Sequence, residues 1–402
     1  MLRKLVLLLS APCAFAAIDN DWPNVKKDCA KMFHPTAGDP AWKQIMACGA
    51  DFFTARPVHL TVESIVPGGG FGIGPTFHAD FNNDKWQQQL VATGVGTFQQ
   101  FWTTGAAFRS THDRFGRNNS ARDRFAWDLY ANARDLPRMP YYGIGPNTST
   151  ANLVDFSERD VVAGADVFNP FSAWLAAGGL IEGIFPQIGQ ASGSAVPSIG
   201  TAFIESTTPG LVSQPAMVHY GFYLEPRRTR HKFQFDYKIG YHFYQDSGAG
   251  HYSFGRFKVD GTHTFHPIPG KSDSFLTIHN RLTISHTGDG NAVPFYLQET
   301  LGGSDINGQP TLRGFADYRF RAPDLMLIQV QYDHRIWGPL GLLGFYDTGM
   351  VAVRASDLSF ADLRHSFGFG MSVWAGDRAV FRVYVGLGSG EGSHTYVGIP
   401  AF

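Results

Sequence analysis

From residue 57 onward one habit governs the chain and narrows what it can fold into. Segments of about 10 to 15 residues alternate apolar with polar side chains, and stretches rich in Gly, Asp, Asn, Pro and Ser separate them. The clearest run is 232–243. There Phe233, Phe235, Tyr237, Ile239, Tyr241 and Phe243 interleave with Lys232, Gln234, Asp236, Lys238, Gly240 and His242. Successive side chains of a strand point to opposite faces, so this segment has one apolar face and one charged face. Phe257, Val259 and Phe265 likewise oppose Arg256, Lys258, Asp260 and Thr262. Leu276, Ile278, Leu282 and Ile284 oppose Thr277, His279, Arg281 and Thr283, and Ile328, Val330 and Tyr332 oppose Gln329, Gln331, Asp333 and Arg335.

Two architectures accept such strands. In a soluble sandwich the apolar faces meet each other and the polar faces meet water. In a membrane barrel the apolar faces meet lipid and the polar faces line a lumen. Composition favours the barrel: charged residues are 17%, aromatics 14%, and glycine reaches 46 of 402 positions. Tyr and Trp gather at lipid boundaries, and this aromatic content also excludes a disordered chain. No apolar run reaches the ~18 residues of a membrane helix. A net charge of −1 without a long basic run gives no case for nucleic acid. The expected strands are 69–80, 85–96, 98–110, 124–138, 152–166, 172–184, 215–225, 231–245, 252–266, 273–286 and 294–300. A long loop at 301–316 comes next, then strands at 324–337, 339–353, 364–376, 378–388 and 394–402. Sixteen is an even number, which closes an antiparallel barrel with both chain ends on one side. The expected fold is therefore all-β: a 16-stranded antiparallel transmembrane β-barrel over residues 57–402, with a short N-terminal helical extension.

Residues 1–16 read as a cleaved export signal. Arg3 and Lys4 start it, Leu5 to Leu9 form its apolar stretch, and Ala14-Phe15-Ala16 fits the small-x-small cleavage rule. Removing Arg3 and Lys4 with no acid takes the net charge from −1 to −3. Residues 17–56 then form a periplasmic segment in which 23–33 and 39–53 read as short helices, with Pro23 tolerated in a first turn and Asp39-Pro40 as cap and first helical position. The remaining cysteines, Cys29 and Cys48, suit a disulfide stapling these helices in an oxidising compartment. The alternative is two free buried thiols. Two cysteines with His34 do not make a standard metal ligand set.

Catalytic patterns are lacking. The chain has no G-x-S-x-G, no H-E-x-x-H and no P-loop. His263 and His266 stand three apart on a strand and so face opposite sides. His279 and Ser285 can be posed as hydrolase members, but scattered luminal polar residues explain them better. No catalytic residue, metal site, cofactor or enzymatic activity is expected.

The C-terminal third carries three motifs in order. Leu312-Arg313-Gly314-Phe315 lies in the long loop, Tyr332-Asp333-His334-Arg335 ends the next strand, and Phe345-Tyr346-Asp347-Thr348-Gly349 follows on the strand after that. This order resembles the BamA-type outer-membrane assembly factors of the bacterial surface antigen superfamily, strongly over 295–402 and more thinly over 58–294. Tyr141-Tyr142-Gly143-Ile144-Gly145-Pro146 resembles a turn of the same barrels. The resemblance implies a loop folded into the lumen, with Arg313 held by Asp347 on the wall. Phe345 would cover the pair, Gly349 would leave room for the loop backbone, and Asp333 would be a second partner. A bare loop charge beside an unrelated luminal acid is the alternative for Arg313 and Asp347.

The resemblance also implies a lateral gate where the first and last strands meet. The glycines Gly68, Gly69, Gly70, Gly72 and Gly74 are expected to weaken the first strand, and Pro400 supplies no N–H to the last. The alternative is that these glycines only shape a barrel end. Tyr396, Gly398 and Phe402 look like the aromatic C-terminal signal read by the host barrel-assembly machinery. Between the signal and the first strand no POTRA module fits, so the expectation is a member with a bare barrel. Its expected partners are outer-membrane lipid and client outer-membrane polypeptides. Two functions follow: insertion or translocation of polypeptide, or of lipid, through the seam, or a passive pore or structural barrel that keeps the motifs for its own folding.

Overall fold

The computed structural model describes residues 20–33, 48–49, 52–83, 85–112, 124–230, 232–248, 251–267, 273–375 and 378–398. Residues 1–16, expected as an export signal, Pro400, Phe402 and most of the expected helix at 39–53 lie outside these residues.

Sixteen strands form one antiparallel sheet in which each pairs with its neighbours in sequence. They begin with β1 (Val58–Ser64), β2 (Phe71–Asn82), β3 (Trp86–Thr97), β4 (Trp102–His112), β5 (Phe125–Tyr141) and β6 (Val154–Pro170). Next come β7 (Leu175–Gln190), β8 (Met217–Arg230), β9 (Phe233–Asp246), β10 (Phe254–Phe265) and β11 (Ser274–Thr287). In the connection after β11, β12 (Glu299–Leu301) and β13 (Phe320–Ala322) pair as a separate two-stranded sheet. The large sheet resumes with β14 (Asp324–Trp337), β15 (Leu340–Ala352), β16 (Arg364–Ala375), β17 (Arg378–Gly388) and β18 (Gly392–Gly398).

The strand number matches the expectation, but two differences cancel to give it. The sheet starts at β1, earlier than the expected first strand. Val58, Leu60 and Val62 alternate with His59, Thr61 and Glu63 in the same way as the longer strands, but over seven residues only. Conversely, 294–300 is not a strand of the large sheet. Phe295-Tyr296-Leu297 puts three apolar residues in succession, breaking the period of two, and forms a 3₁₀ turn before β12. The long connection thus spans 288–323.

The two faces of the sheet are inverted relative to a soluble protein. Val218, Tyr220, Phe222 and Leu224 of β8 are exposed, as are Leu340, Leu342 and Tyr346 of β15 and Phe367, Phe369 and Met371 of β16. On the other face Asp333, Asp347 and Ser366 are wholly buried, and Glu158, Arg256 and Gln329 nearly so. Among the described residues no second layer of sheet covers the apolar face. Contiguous exposed apolar rows of this kind mark a surface that another apolar phase or partner covers.

Connections at one end of the sheet fold over it as a cap. Val66 and Phe101 come from the β1–β2 and β3–β4 turns, Ile199 from the β7–β8 connection, and Phe295, Tyr296 and Tyr318 from 288–323. They bury one cluster with Leu136, Met139, Tyr141, Val154 and Phe156. Its rings meet edge to face, Tyr141 with Phe203 at 4.9 Å and Phe156 with Phe295 at 5.1 Å between centroids. Glu205 ties two connections together, accepting from the N–H groups of Gly210 and Val212 and from the Tyr252 hydroxyl, all at 2.6 Å. Burial alone would raise its pKa, but these donors outweigh it and hold the carboxyl below its ordinary value.

At the opposite end lies the helical extension. Helix α1 (Trp22–Phe33) carries Cys29, which is disulfide-bonded to Cys48. The Asp21 carboxylate accepts from the Arg56 N–H at 3.1 Å, and the Arg56 guanidinium pairs with Asp80 of β2. The extension is thereby anchored to the polar face near the β2–β3 hairpin.

Phe295 is fully buried at the centre of the cap, and truncating such a ring costs about 3–5 kcal/mol. Phe295→Ala is expected to expose 191–216 and 288–323 to limited proteolysis while the strands stay protected. Unchanged cleavage would show that the cluster does not hold the cap.

Candidate functional site: an arginine loop on the polar face

The 288–323 connection doubles back over the polar face. The Gly303 N–H donates to the Leu312 carbonyl and the Thr311 N–H to that of Gly303, both at 2.8 Å, and the Phe315 N–H closes on the Leu312 carbonyl at 3.0 Å. Arg313 thus sits at the apex of a tight turn. Leu312 and Phe315 fix that turn from below, fully buried with Leu301, Phe320, Leu325, Leu327 and Val351. The apolar members of Leu312-Arg313-Gly314-Phe315 therefore anchor the turn, and the charged one projects onto the wall.

Arg313 and Asp347 make a forked pair. Nε donates to Oδ2 at 2.9 Å and Nη2 to Oδ1 at 2.6 Å, while the Arg313 backbone N–H reaches Oδ2 at 3.0 Å. The Ser366 hydroxyl (3.2 Å) and Gln329 Nε2 (3.3 Å) donate to the same carboxylate. The guanidinium carbon lies 3.7 Å from the centroid of Phe345, a cation–π contact that a planar guanidinium suits. Phe345, Asp347 and Gly349 share the polar face, as period two requires. The Phe345 ring lies over Gly368, where a Cβ would come within 2.4 Å of it.

Two expected roles are corrected. Asp333 does not touch Arg313: the remaining guanidinium donor goes to Gln331, whose amide donates to Asp333 at 2.6 Å, and Arg382 pairs with Asp333 at 3.4 Å. The cross-strand neighbour of Asp347 is Gln329, four residues short of Asp333. Gly349 does not make room for the loop either, since a Cβ there would meet the Met326 carbonyl of β14 at 2.7 Å. The loop backbone instead lies on β17. A Cβ on Gly386 would stand 2.1 Å from the Arg313 carbonyl oxygen, and one on Gly388 2.1 Å from that of Gly314. Gly314 is equally constrained, its Cβ falling 2.4 Å from the Gly388 nitrogen. The signal for this track was present in the sequence as Gly386-x-Gly388 on the polar face of a strand.

The seam residues also need correction. Gly68, Gly69 and Gly70 lie in the β1–β2 turn, where Gly68 and Gly70 adopt φ of 82° and 79°, the left-handed region that glycine enters without penalty. Gly72 and Gly74 belong to β2, which is paired on both sides, and a Cβ on Gly74 would meet the Gly94 carbonyl of β3 at 1.8 Å. The edges of the sheet are β1 and β18. Gly398 ends β18 opposite Arg382. Tyr396 turns to the polar face, stacks on Tyr384 at 5.2 Å, and donates from its hydroxyl to the Phe315 carbonyl at 2.8 Å.

The same loop grips further parts that sequence reasoning missed. Arg319 donates from Nε to Glu391 in the β17–β18 turn at 2.7 Å, and from Nη1 and Nη2 to the Thr148 hydroxyl and carbonyl at 2.8 and 2.6 Å. The Tyr318 hydroxyl donates to the Pro67 carbonyl beside β1 at 3.4 Å. Arg321 donates to the Phe295 carbonyl at 2.7 Å, and its own carbonyl accepts from the Gly145 N–H at 2.7 Å. Gly143 and Gly145 of the Tyr141–Pro146 turn take φ of 101° and 115° to allow this. One segment thus bonds to connections beside both edge strands. Three arginines in nine residues, two of them interleaved with aromatics as Tyr318-Arg319-Phe320-Arg321, was the available signal.

His279 and Ser285 do not meet. His279 sits between Asp260 and Gln329, and Ser285 between Arg256 and the Pro323 carbonyl. Among the described residues no His, Cys, Asp and Glu cluster suits a metal ion.

No protein-family model matches the chain, and no curated protein matches it in sequence. Solved structures do match in fold. CdiB from Acinetobacter baumannii superposes with a TM-score of 0.51 at 10% identity, covering 84% of this chain and 57% of that one. BamA from Haemophilus ducreyi lacking POTRA domains 1–3 gives 0.53 at 9% identity, covering 96% and 80%. CdiB from Escherichia coli gives 0.53 at 11% identity, covering 92% and 72%. The chain spans just over half the length of the first of these structures. The fold is an all-β architecture with a sixteen-stranded antiparallel sheet, similar to the BamA barrel.

Breaking a buried ion pair by removing one partner costs about 3–5 kcal/mol. Arg313→Ala should therefore lower the temperature at which the compact form is lost on a gel, and pairing Arg313→Asp with Asp347→Arg should restore part of it. Indifference of both single variants would remove the pair from the stability of the fold. Gly388→Val should lift the loop from β17 and open it to protease between residues 302 and 319, whereas a loop that stays protected would show that the glycine contact is dispensable.

Proposed function

We propose that β1 and β18 meet to close the sheet into an outer-membrane barrel, and that their seam inserts or translocates polypeptide, with lipid as a further substrate class. The observation that carries this reading is how differently the two edges are held. Among the described residues β1 and β18 have seven residues each, against seventeen in β5 and β6. Short edges offer few ladder hydrogen bonds, and unpaired edge groups are templates for another strand. On the loop side the seam is spanned by side chains instead: Tyr318 reaches the β1–β2 turn, while Tyr396 and Glu391 hold the loop from β18 and its turn. Such a junction parts more readily than a continuous ladder and can re-form around the same latch.

Further support comes from the exposed apolar face, which lipid would cover, and from the fold shared with BamA and CdiB. The signal at Met1 to Ala16 would direct export to the outer membrane, and the host barrel-assembly machinery would place the chain there through its C-terminal residues. The cap of packed rings weighs against a free aqueous channel, the reading in which the protein is a passive pore. No catalytic step and no cofactor belong to the proposed role.

Reconstitution tests it. The purified chain in liposomes should speed the folding of a client barrel. Disulfides engineered between β1 and β18 should stop this, and reducing them should restore it. Ion conductance with no effect on clients, indifferent to the lock, would contradict the insertase reading and support the pore.

A further inference from the structure

The lipid-facing row of β8 ends in two bare arginines. Val218, Tyr220, Phe222 and Leu224 point to the apolar face, and continuing the period through Pro226 brings Arg228 and Arg230 onto that face, both exposed. Their cross-strand neighbours on β9 are Phe235 and Phe233. Phe233 in turn pairs with Phe265 of β10, and both rings are exposed. On the other flank the Arg227 N–H donates to the Trp174 carbonyl at 2.8 Å, which ties the β6–β7 turn to this end of β8. Lys232, also exposed, adds a third cation in the turn. Among the described residues neither Arg228 nor Arg230 has an acidic partner. Elsewhere on this face charge is neutralised, as where Arg159 pairs with Asp135.

A cation at the end of an apolar row, framed by aromatics, sits at headgroup depth in a bilayer. Two guanidinium groups two residues apart on one strand face can both reach one phosphodiester, which a planar fork binds in bidentate fashion. The β8–β9 turn lies at the same end of the sheet as the β2–β3 hairpin, where the N-terminal extension is anchored. We propose that Arg228 and Arg230, with Phe233 and Phe265, form a binding site for the phosphate of an anionic phospholipid in the periplasmic leaflet. The site rests on the barrel reading above. It would hold lipid against β8 and β9, away from the β1 and β18 seam.

Full-length protein extracted in detergent tests this by native mass spectrometry against phosphatidylglycerol and phosphatidylcholine, with its compact gel form checked first. Each basic residue near a membrane surface contributes about fivefold. The two arginines should therefore contribute a factor on the order of 25 to the retention of phosphatidylglycerol, and Arg228→Gln with Arg230→Gln should remove most of the preference, leaving at most the share of Lys232. Arg228→Lys with Arg230→Lys should keep most of the preference. No preference in the folded wild type would overturn the site and leave the barrel standing, whereas recovery of the native chain without detergent would overturn the barrel itself. An unchanged preference in the glutamine variant, a stronger preference for lipopolysaccharide, or displacement of the lipid by millimolar inorganic phosphate would each overturn the assignment.

Discussion

A sheet that buries charges on its inner face is unstable unless something pairs them, and here the Arg313–Asp347 fork does so. Asp347 is completely buried, yet accepts from Nε, Nη2 and the backbone N–H of Arg313, from Ser366 and from Gln329. A carboxylate so placed without its arginine would be an uncompensated charge in a desolvated setting. The pair therefore does more than fasten a loop: it makes the polar face of β14–β17 tolerable as an interior. The glycine track of β17 follows from the same constraint, because the fork closes only if the loop backbone lies directly on the strand.

From that anchor the loop extends outward in both directions. Its arginines recur at 313, 319 and 321, and each goes to a different part of the molecule: the β15 wall, the β17–β18 turn with the β5–β6 connection, and the cap. Buried arginines placed this way impose register on several connections at once, since a planar fork accepts only certain partner positions. In the proposed role the loop is the constant part of the molecule, and the short edge strands are the part that changes.

Much of this was legible in the residues because strand periodicity survives any tertiary context. The run from Phe233 to Phe243 gave its faces correctly, and the Leu312–Phe315 and Phe345–Gly349 motifs indicated which residues would meet. What stayed hidden was what depends on length and on cross-strand register. β1 was too short to stand out, although its alternation was regular. Phe295-Tyr296-Leu297 was apolar enough to suggest a strand but lacked alternation, because it packs on several sides within the cap. Asp333 and Gly349 lay on the correct face at the wrong height, and height is set by the pairing of β14 with β15. Gly386 and Gly388 stood in the sequence as a pair on one strand face, but the segment they receive lies some seventy residues away, so the pair alone did not say what would lie on it.

The central claim is that lipid covers one face of this sheet and that the other is interior. Site-directed spin labels placed singly from Val218 to Leu224 on β8, in liposomes, test it through relative accessibility to oxygen and to a water-soluble nickel chelate. Oxygen accessibility should rise at residues 218, 220, 222 and 224 and fall at 219, 221 and 223, with the chelate excluded from the first set. A flat profile, or chelate reaching Tyr220 and Phe222 as readily as a surface loop, would contradict the claim.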